Sequence, residues 1–137
     1  MAYWLLKSEP SAYSWDRLVE DGRTSWTGVR NHQAANNLKA MKRGDRGFFY
    51  HSNEGLAIVG VVEIVREAYP DPGDASGRFV TVDVAPLMAA RTPVSLAAIK
   101  ATPALGQLGL VRQSRLSVSP VTPQEWRTLT KMAGVEA

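Results

Sequence analysis

The chain has 137 residues, 45% hydrophobic and 21% charged, the balance of one globular domain spanning 1–137. Sixteen basic against 13 acidic residues leave a formal charge of +3, a mild lean that permits an anionic partner but supplies no polybasic arm. With no cysteine, disulfides, thiolate metal sites and a Cys nucleophile are excluded, and no apolar run approaches the ~20 residues of a membrane span. The expectation is a cytoplasmic monomer with no signal peptide, no membrane contact, no metal and no cofactor.

In chain order, Tyr3 to Ser8 reads as a first strand, stopped near Pro10. Ser14 caps a short helix from Trp15 to Val19, which Gly22 ends. Asn31 caps a second helix through Met41, with Leu38 and Met41 on one face and Gly44 as breaker. Phe48-Phe49-Tyr50 is a strand core. Leu56 to Val65 is apolar at nearly every position, so this strand should be covered on both faces. Tyr69 to Asp74 has turn chemistry. In Phe79 to Leu87, Val80, Val82 and Val84 alternate with Thr81 and Asp83. Ser95 caps Leu96 to Lys100, and Thr102 with Pro103 starts a further helical turn that ends near Leu108. Leu116 to Val118 reads as a last strand. Thr122-Pro123-Gln124-Glu125 is a capping box with Pro at the first helical position, ahead of Trp126, Leu129 and Met132 on one face and Gly134 as the stop. Strands and helices do not alternate regularly. That argues against a doubly wound sheet and for an α+β fold, a small, partly closed mixed β-barrel of five to six strands with short helices inserted between them. The two chain ends should pack together, with Trp4, Val59, Val82 and Trp126 buried.

Four segments carry chemistry beyond scaffold: Lys7-Ser8-Glu9-Pro10, Trp26 to Asn31, Tyr50-His51-Ser52-Asn53, and Val111 to Ser117 with Arg112 and Gln113. An aromatic face offers stacking area, and Gly28 lets backbone approach a ligand. Arg, Asn, Gln, Ser and His supply donors and acceptors for a base edge or a phosphate. Each segment also has a plain structural reading. Trp26 can be a packing residue, Lys7 and Glu9 a surface pair, His51 a structurally bonded histidine, and Arg112 and Arg115 solvated cations.

Taken together, the blocks resemble the EVE domain family. Tyr3 to Pro10 is similar to its opening, Trp26 to Asn31 with Gln33, Asn36, Asn37 and Met41 to its second block, and Phe48 to Ser52 to its third. Ile58-Val59-Gly60, Tyr69-Pro70-Asp71, Val82-Asp83-Val84 and Pro93 to Leu96 continue the likeness, and Leu110 to Gln113, Arg115 to Val118 and Glu125-Trp126 close it. The resemblance implies a PUA-like barrel, related to ASCH and YTH domains, with a pocket for a modified nucleobase. Modified cytosine in DNA is the implied ligand, with RNA as the other option. The implied pocket residues are Lys7, Ser8, Glu9, Trp26, Val29, Arg30, Asn31, Tyr50, His51, Ser52, Arg112, Gln113 and Ser117. Ala35 stands where many members carry Arg, and the stretches 53–56 and 72–79 are short.

Two other classes compete with a base reader. An enzyme acting on nucleotides would need a reactive centre. Zinc-deaminase chemistry lacks its cysteines and its His-x-Glu pairing, and there is no Walker-type phosphate loop. A Ser52–His51–Glu9 triad can be drawn, but adjacent strand residues point to opposite sides. A protein-interaction module with a vestigial pocket would keep its partner when the pocket is altered.

Overall fold

In the computed structural model, which describes residues 1–137, the apolar runs assemble into one six-stranded mixed sheet of order β2-β5-β4-β3-β1-β6. The strands are β1 (Tyr3–Ser8), β2 (Thr24–Ser25), β3 (Arg46–His51), β4 (Ala57–Pro70), β5 (Val80–Ser95) and β6 (Val118–Val121). The helices are α1 (Trp15–Asp21), α2 (His32–Ala40), α3 (Leu96–Lys100), α4 (Gly109–Arg112) and α5 (Pro123–Ala133), with a 3-10 turn at Pro103–Leu105. This is the α+β arrangement expected, and the sheet is open: β2 and β6 are its two edges and do not pair. Helix α2 packs against β4, β5 and β6, so it stands near both ends of the sheet, and the Asn37 Nδ2 donates to the Val118 carbonyl of β6 at 2.8 Å.

Alternation along the central strands sends side chains to two cores. Trp4, Leu6 and Phe49 face one way, joining Trp15 and Leu18 of α1 and Ala34, Ala35 and Leu38 of α2. Leu5, Phe48 and Tyr50 face the other, joining Ile99 of α3, Leu110 of α4 and Trp126 and Leu129 of α5. Covering both faces explains the near-continuous hydrophobic reading of these strands. Trp126 stacks between Tyr3 and Phe48, with ring centroids at 4.4 and 4.1 Å, and pins α5 to the β1–β3 pair. Because β1 also pairs antiparallel with β6, the two ends of the chain meet as expected.

The caps at Ser14, Asn31, Ser95 and Thr122 all form, and the Thr122–Glu125 capping box closes reciprocally. Other expectations need correction. Tyr69 and Pro70 are not turn residues; they end β4, paired with Thr81 and Val80, and the reversal lies beyond Asp71. Thr102 gives no cap hydrogen bond to the turn it precedes; its hydroxyl donates back to the Ala98 carbonyl at 2.8 Å. The last strand starts at Val118 and runs through Pro120, which an edge strand tolerates because its outer N–H side needs no partner. Val59 is half-buried and not fully buried. The β3–β4 register shifts between Phe49 and Tyr50, opposite Gly60 and Ile58, so Val59 is the unpaired residue of a bulge.

Candidate nucleic-acid interface

The site is set by the parallel pairing of β1 and β3. Register places Lys7 opposite Tyr50 and Ser8 opposite His51, so both strands release their polar exits at the same edge. The Ser52 N–H then donates to the Ser8 carbonyl at 3.0 Å, joining the two exits. The segment before β6 lies alongside: the Lys7 N–H donates to the Ser117 carbonyl at 2.9 Å and its ammonium to the Ser114 carbonyl at 2.7 Å.

Three cavities open along this edge. One of about 280 Å³ is bounded by Trp26 with Lys7, Ser8, Tyr13, Ser25 and Thr27. A second of about 440 Å³ includes Lys7, Glu9, Tyr50, Ser52, Arg115 and Ser117 in its wall. A third of about 380 Å³ is lined by Asn31, Gln33, Arg112, Gln113, Ser114, Arg115 and Leu116. Lys7 is common to the first two, and Ser114 and Arg115 to the last two. Ten of the thirteen implied pocket residues thus line three neighbouring compartments and not one.

Trp26 is both a packing residue and a wall. It is only 8% exposed and meets Phe49 edge-on at 5.6 Å, yet it borders the smallest cavity. Ser8 also lines that cavity, its hydroxyl donating to the Tyr13 carbonyl at 2.6 Å. Lys7 does not pair with Glu9 as a surface ion pair, since its ammonium is on Ser114; burial pushes that ammonium below its ordinary value. Burial likewise pushes the Tyr50 phenol up.

Val29, Arg30 and His51 line none of these cavities. Val29 is a core residue, and so is Ala35. Arg30 donates to the Asp71 carboxylate at 2.9 Å and lies over the Phe79 ring at 5.4 Å, which ties the 26–30 loop to the β4–β5 hairpin. Asp71 also accepts from the Gly28 N–H at 2.9 Å, with Gly28 at φ 87°, a backbone that favours glycine. Burial alone would push the Asp71 carboxyl up; the Arg30 guanidinium and the Gly28 and Gly73 N–H groups outweigh it and hold it below the usual range. The turn chemistry expected of Asp71 is present, since its carboxylate accepts from the Gly73 N–H at 2.8 Å; its pairing with Arg30, 41 residues away, has no local signal in the sequence.

His51 Nε2 accepts the Trp15 N–H at 3.1 Å, at the first turn of α1. Its ring meets Phe49 edge-on, on the face opposite Tyr50, so His51, Ser52 and Glu9 are not assembled as a triad. Accepting that hydrogen bond requires an unprotonated Nε2. Burial lowers the His51 value from 6.5, with Asp16 opposing. A lowered folded value means that the unfolded chain binds the proton first. The contribution is therefore complete above about pH 6.5 and is lost as pH falls through the folded value. We expect the wild-type Tm to fall between pH 7 and 5, and His51→Gln to show a shallower fall over that window. Equal slopes in parallel thermal melts would remove His51 from this role.

A family model described as EVE domain matches residues 2–132. Thymocyte nuclear protein 1 of Rattus norvegicus is 34% identical over 168 aligned positions, covering 98% of this chain and 74% of the rat protein. An NMR structure of a Rhodopseudomonas palustris protein matches with a TM-score of 0.94 at 57% identity, covering 100% of this chain and 97% of that one. A crystal structure of human THYN1 protein in complex with 5-methylcytosine-containing DNA matches with a TM-score of 0.91 at 31% identity, covering all of both chains.

Proposed function

The chain belongs to the EVE domain family, and from that premise we propose that it is a non-catalytic module that binds nucleic acid carrying a modified base, holding the base against Trp26. The observation that carries the reading is the Trp26 cavity. At about 280 Å³ it lies at the small end of ligand pockets, a size suited to a single base. It joins an indole wall to the hydroxyl-bearing side chains of Ser8, Tyr13, Thr24, Ser25 and Thr27, which can meet a base face and a base edge. Modified cytosine in DNA is the favoured ligand, supported by the methylated DNA in the human relative's complex; a modified base in RNA is the second.

The surroundings suit a strand that continues past the base. Arg112 and Arg115 make no ion pair, and with Asn31 and Gln113 they border the third cavity, where they would contact phosphates. Arg30, held by Asp71, acts instead by positioning the Trp26 loop. A base in duplex DNA must be flipped out of the stack to enter, whereas a single strand presents it directly. The module works as one domain and as a monomer in the cytoplasm, without metal or cofactor. No helix is long and apolar enough to cross a membrane.

The test is a titration of single-stranded oligonucleotides with and without one 5-methylcytosine. An added methyl in an apolar niche contributes about 1–3 kcal/mol, so wild type should prefer the modified strand by ~10- to 200-fold. Trp26→Leu, which keeps apolar bulk but no ring for stacking, should weaken both strands by about 5-fold or more. A folded Trp26→Leu that binds as tightly as wild type would reduce Trp26 to packing alone.

A further inference from the structure

The 440 Å³ cavity beside the Trp26 compartment has features that a plain surface hollow lacks. Tyr50 lines it while only 2% exposed, and its hydroxyl has no hydrogen-bond partner in the protein, although it is not sealed from solvent. The bulge at Val59 of β4 breaks the β3–β4 register opposite Phe49 and Tyr50, so the ladder is interrupted where Tyr50 meets the cavity. Leu56, also in the cavity's lining, is 42% exposed and held at φ 27°, a conformation that leucine avoids. It is fixed there by the turn that precedes it, with Asn53 at φ 69° and Gly55 at φ 77°, and by the Leu96 N–H, which donates to its carbonyl at 2.8 Å. A strained backbone that presents an apolar side chain to an opening is the kind of feature found at ligand clamps. Leu56, Leu96 and Leu110 give the cavity an apolar lining, and Glu9, Ser52 and the Tyr50 hydroxyl a polar one.

Lys7 connects this cavity to its neighbour. It lines both, and with one donor on the Ser114 carbonyl its ammonium keeps two more for an anion between them. Adjacent nucleotides are joined by a phosphate, so a base in the first cavity places its linking phosphate near the shared wall and its neighbour on the far side. Glu9 is an acceptor only, and a carboxylate pairs with an exocyclic amino group such as that of cytosine.

We propose that this cavity is a second nucleotide subsite that takes the nucleotide adjacent to the base on Trp26, with the linking phosphate at Lys7 and Glu9 favouring a base with an amino group over thymine. The proposal rests on the base-binding reading above and extends it from one base to a dinucleotide step.

The experiment uses the full chain and single-stranded oligonucleotides with one central 5-methylcytosine. The neighbour on each side is varied in turn as cytosine, adenine, guanine, thymine or an abasic residue, and affinity is followed by fluorescence anisotropy. On one side only, the abasic strand should bind about 5-fold or more weakly, and thymine about 5-fold more weakly than cytosine. Glu9→Gln, confirmed as folded by thermal melt, should reduce the cytosine-to-thymine ratio toward one, and Tyr50→Phe should lower affinity for amino-bearing neighbours more than for the abasic strand. Equal affinity for every neighbour, with the methylcytosine preference and the Trp26→Leu loss intact, would overturn the subsite and leave the base reading standing. Loss of the methylcytosine preference in wild type would overturn both.

Discussion

Replacing Asp71 with alanine should lower the Tm by about 6–12 °C and weaken oligonucleotide binding, although Asp71 borders none of the three cavities. Its carboxylate is fully buried and accepts from the Gly28 N–H, the Arg30 guanidinium and the Gly73 N–H at 2.9, 2.9 and 2.8 Å. Breaking a buried ion pair costs ~3–5 kcal/mol when the orphaned charge stays buried. The Arg30 side chain is 41% exposed and can rehydrate, so we expect the lower figure of about 2–4 kcal/mol, mostly from the abandoned N–H groups. For a domain of this size each kcal/mol corresponds to roughly 3 °C. Binding weakens because the loop from Trp26 to Arg30 loses its tie to the β4–β5 hairpin. Asp71→Asn, which keeps one acceptor oxygen, should fall between alanine and wild type in both measurements. Unchanged melting and affinity in the alanine variant would show that the loop is held by other contacts.

Gly60→Ala should be the most damaging single-carbon change. A Cβ at that position would lie 2.5–2.6 Å from three ring atoms of Trp15, so the indole must move. Trp15 is 7% exposed and packs edge-on against Phe49 at 5.5 Å, which leaves it little freedom to do so. Overpacking of this kind costs ~1–3 kcal/mol and more when the obstacle is a rigid ring. The displacement would carry α1 with it, and Tyr13, just ahead of that helix, is a wall of the Trp26 cavity. Stability and affinity should therefore drop together. Trp15→Leu in the Gly60→Ala background should recover part of both, since it removes the clashing ring. If the double variant is as unstable as the sum of the singles, the clash is not the cause.

Local signals carried most of the element reading. Ser14, Asn31, Ser95 and Thr122 cap helices because their side chains satisfy backbone N–H groups a few residues away, a relation written in adjacent residues. The residues that border the cavities were legible through Trp26, Tyr50 and the polar strand exits. Their division into compartments was not, because it depends on the parallel register that sets Lys7 opposite Tyr50 and on where the Lys7 ammonium finds a carbonyl 107 residues away. Gly60 reads as an ordinary glycine in an apolar strand until Trp15 is seen lying over it. Asp71 and Arg30 are 41 residues apart, and nothing in either neighbourhood announces the other. Long-range pairing, more than propensity, is what the sequence conceals.

The position of β1 between β3 and β6 also sets a schedule for synthesis. Tyr3–Ser8 leaves the ribosome before either partner exists, and its two hydrogen-bonding edges are matched only by residues 46–51 and then 118–121. Until β6 emerges, Trp4, Leu5 and Leu6 belong to a strand with an open edge, which is a template for pairing with another chain. Chains that end before Val118 should therefore be bound by chaperones or aggregate, while chains in which β6 and α5 are free of the ribosome should fold in one late cooperative step. A strand that pairs with both residues 46–51 and residues 118–121 ties the start of the fold to its last strand, so no half of it should be stable alone.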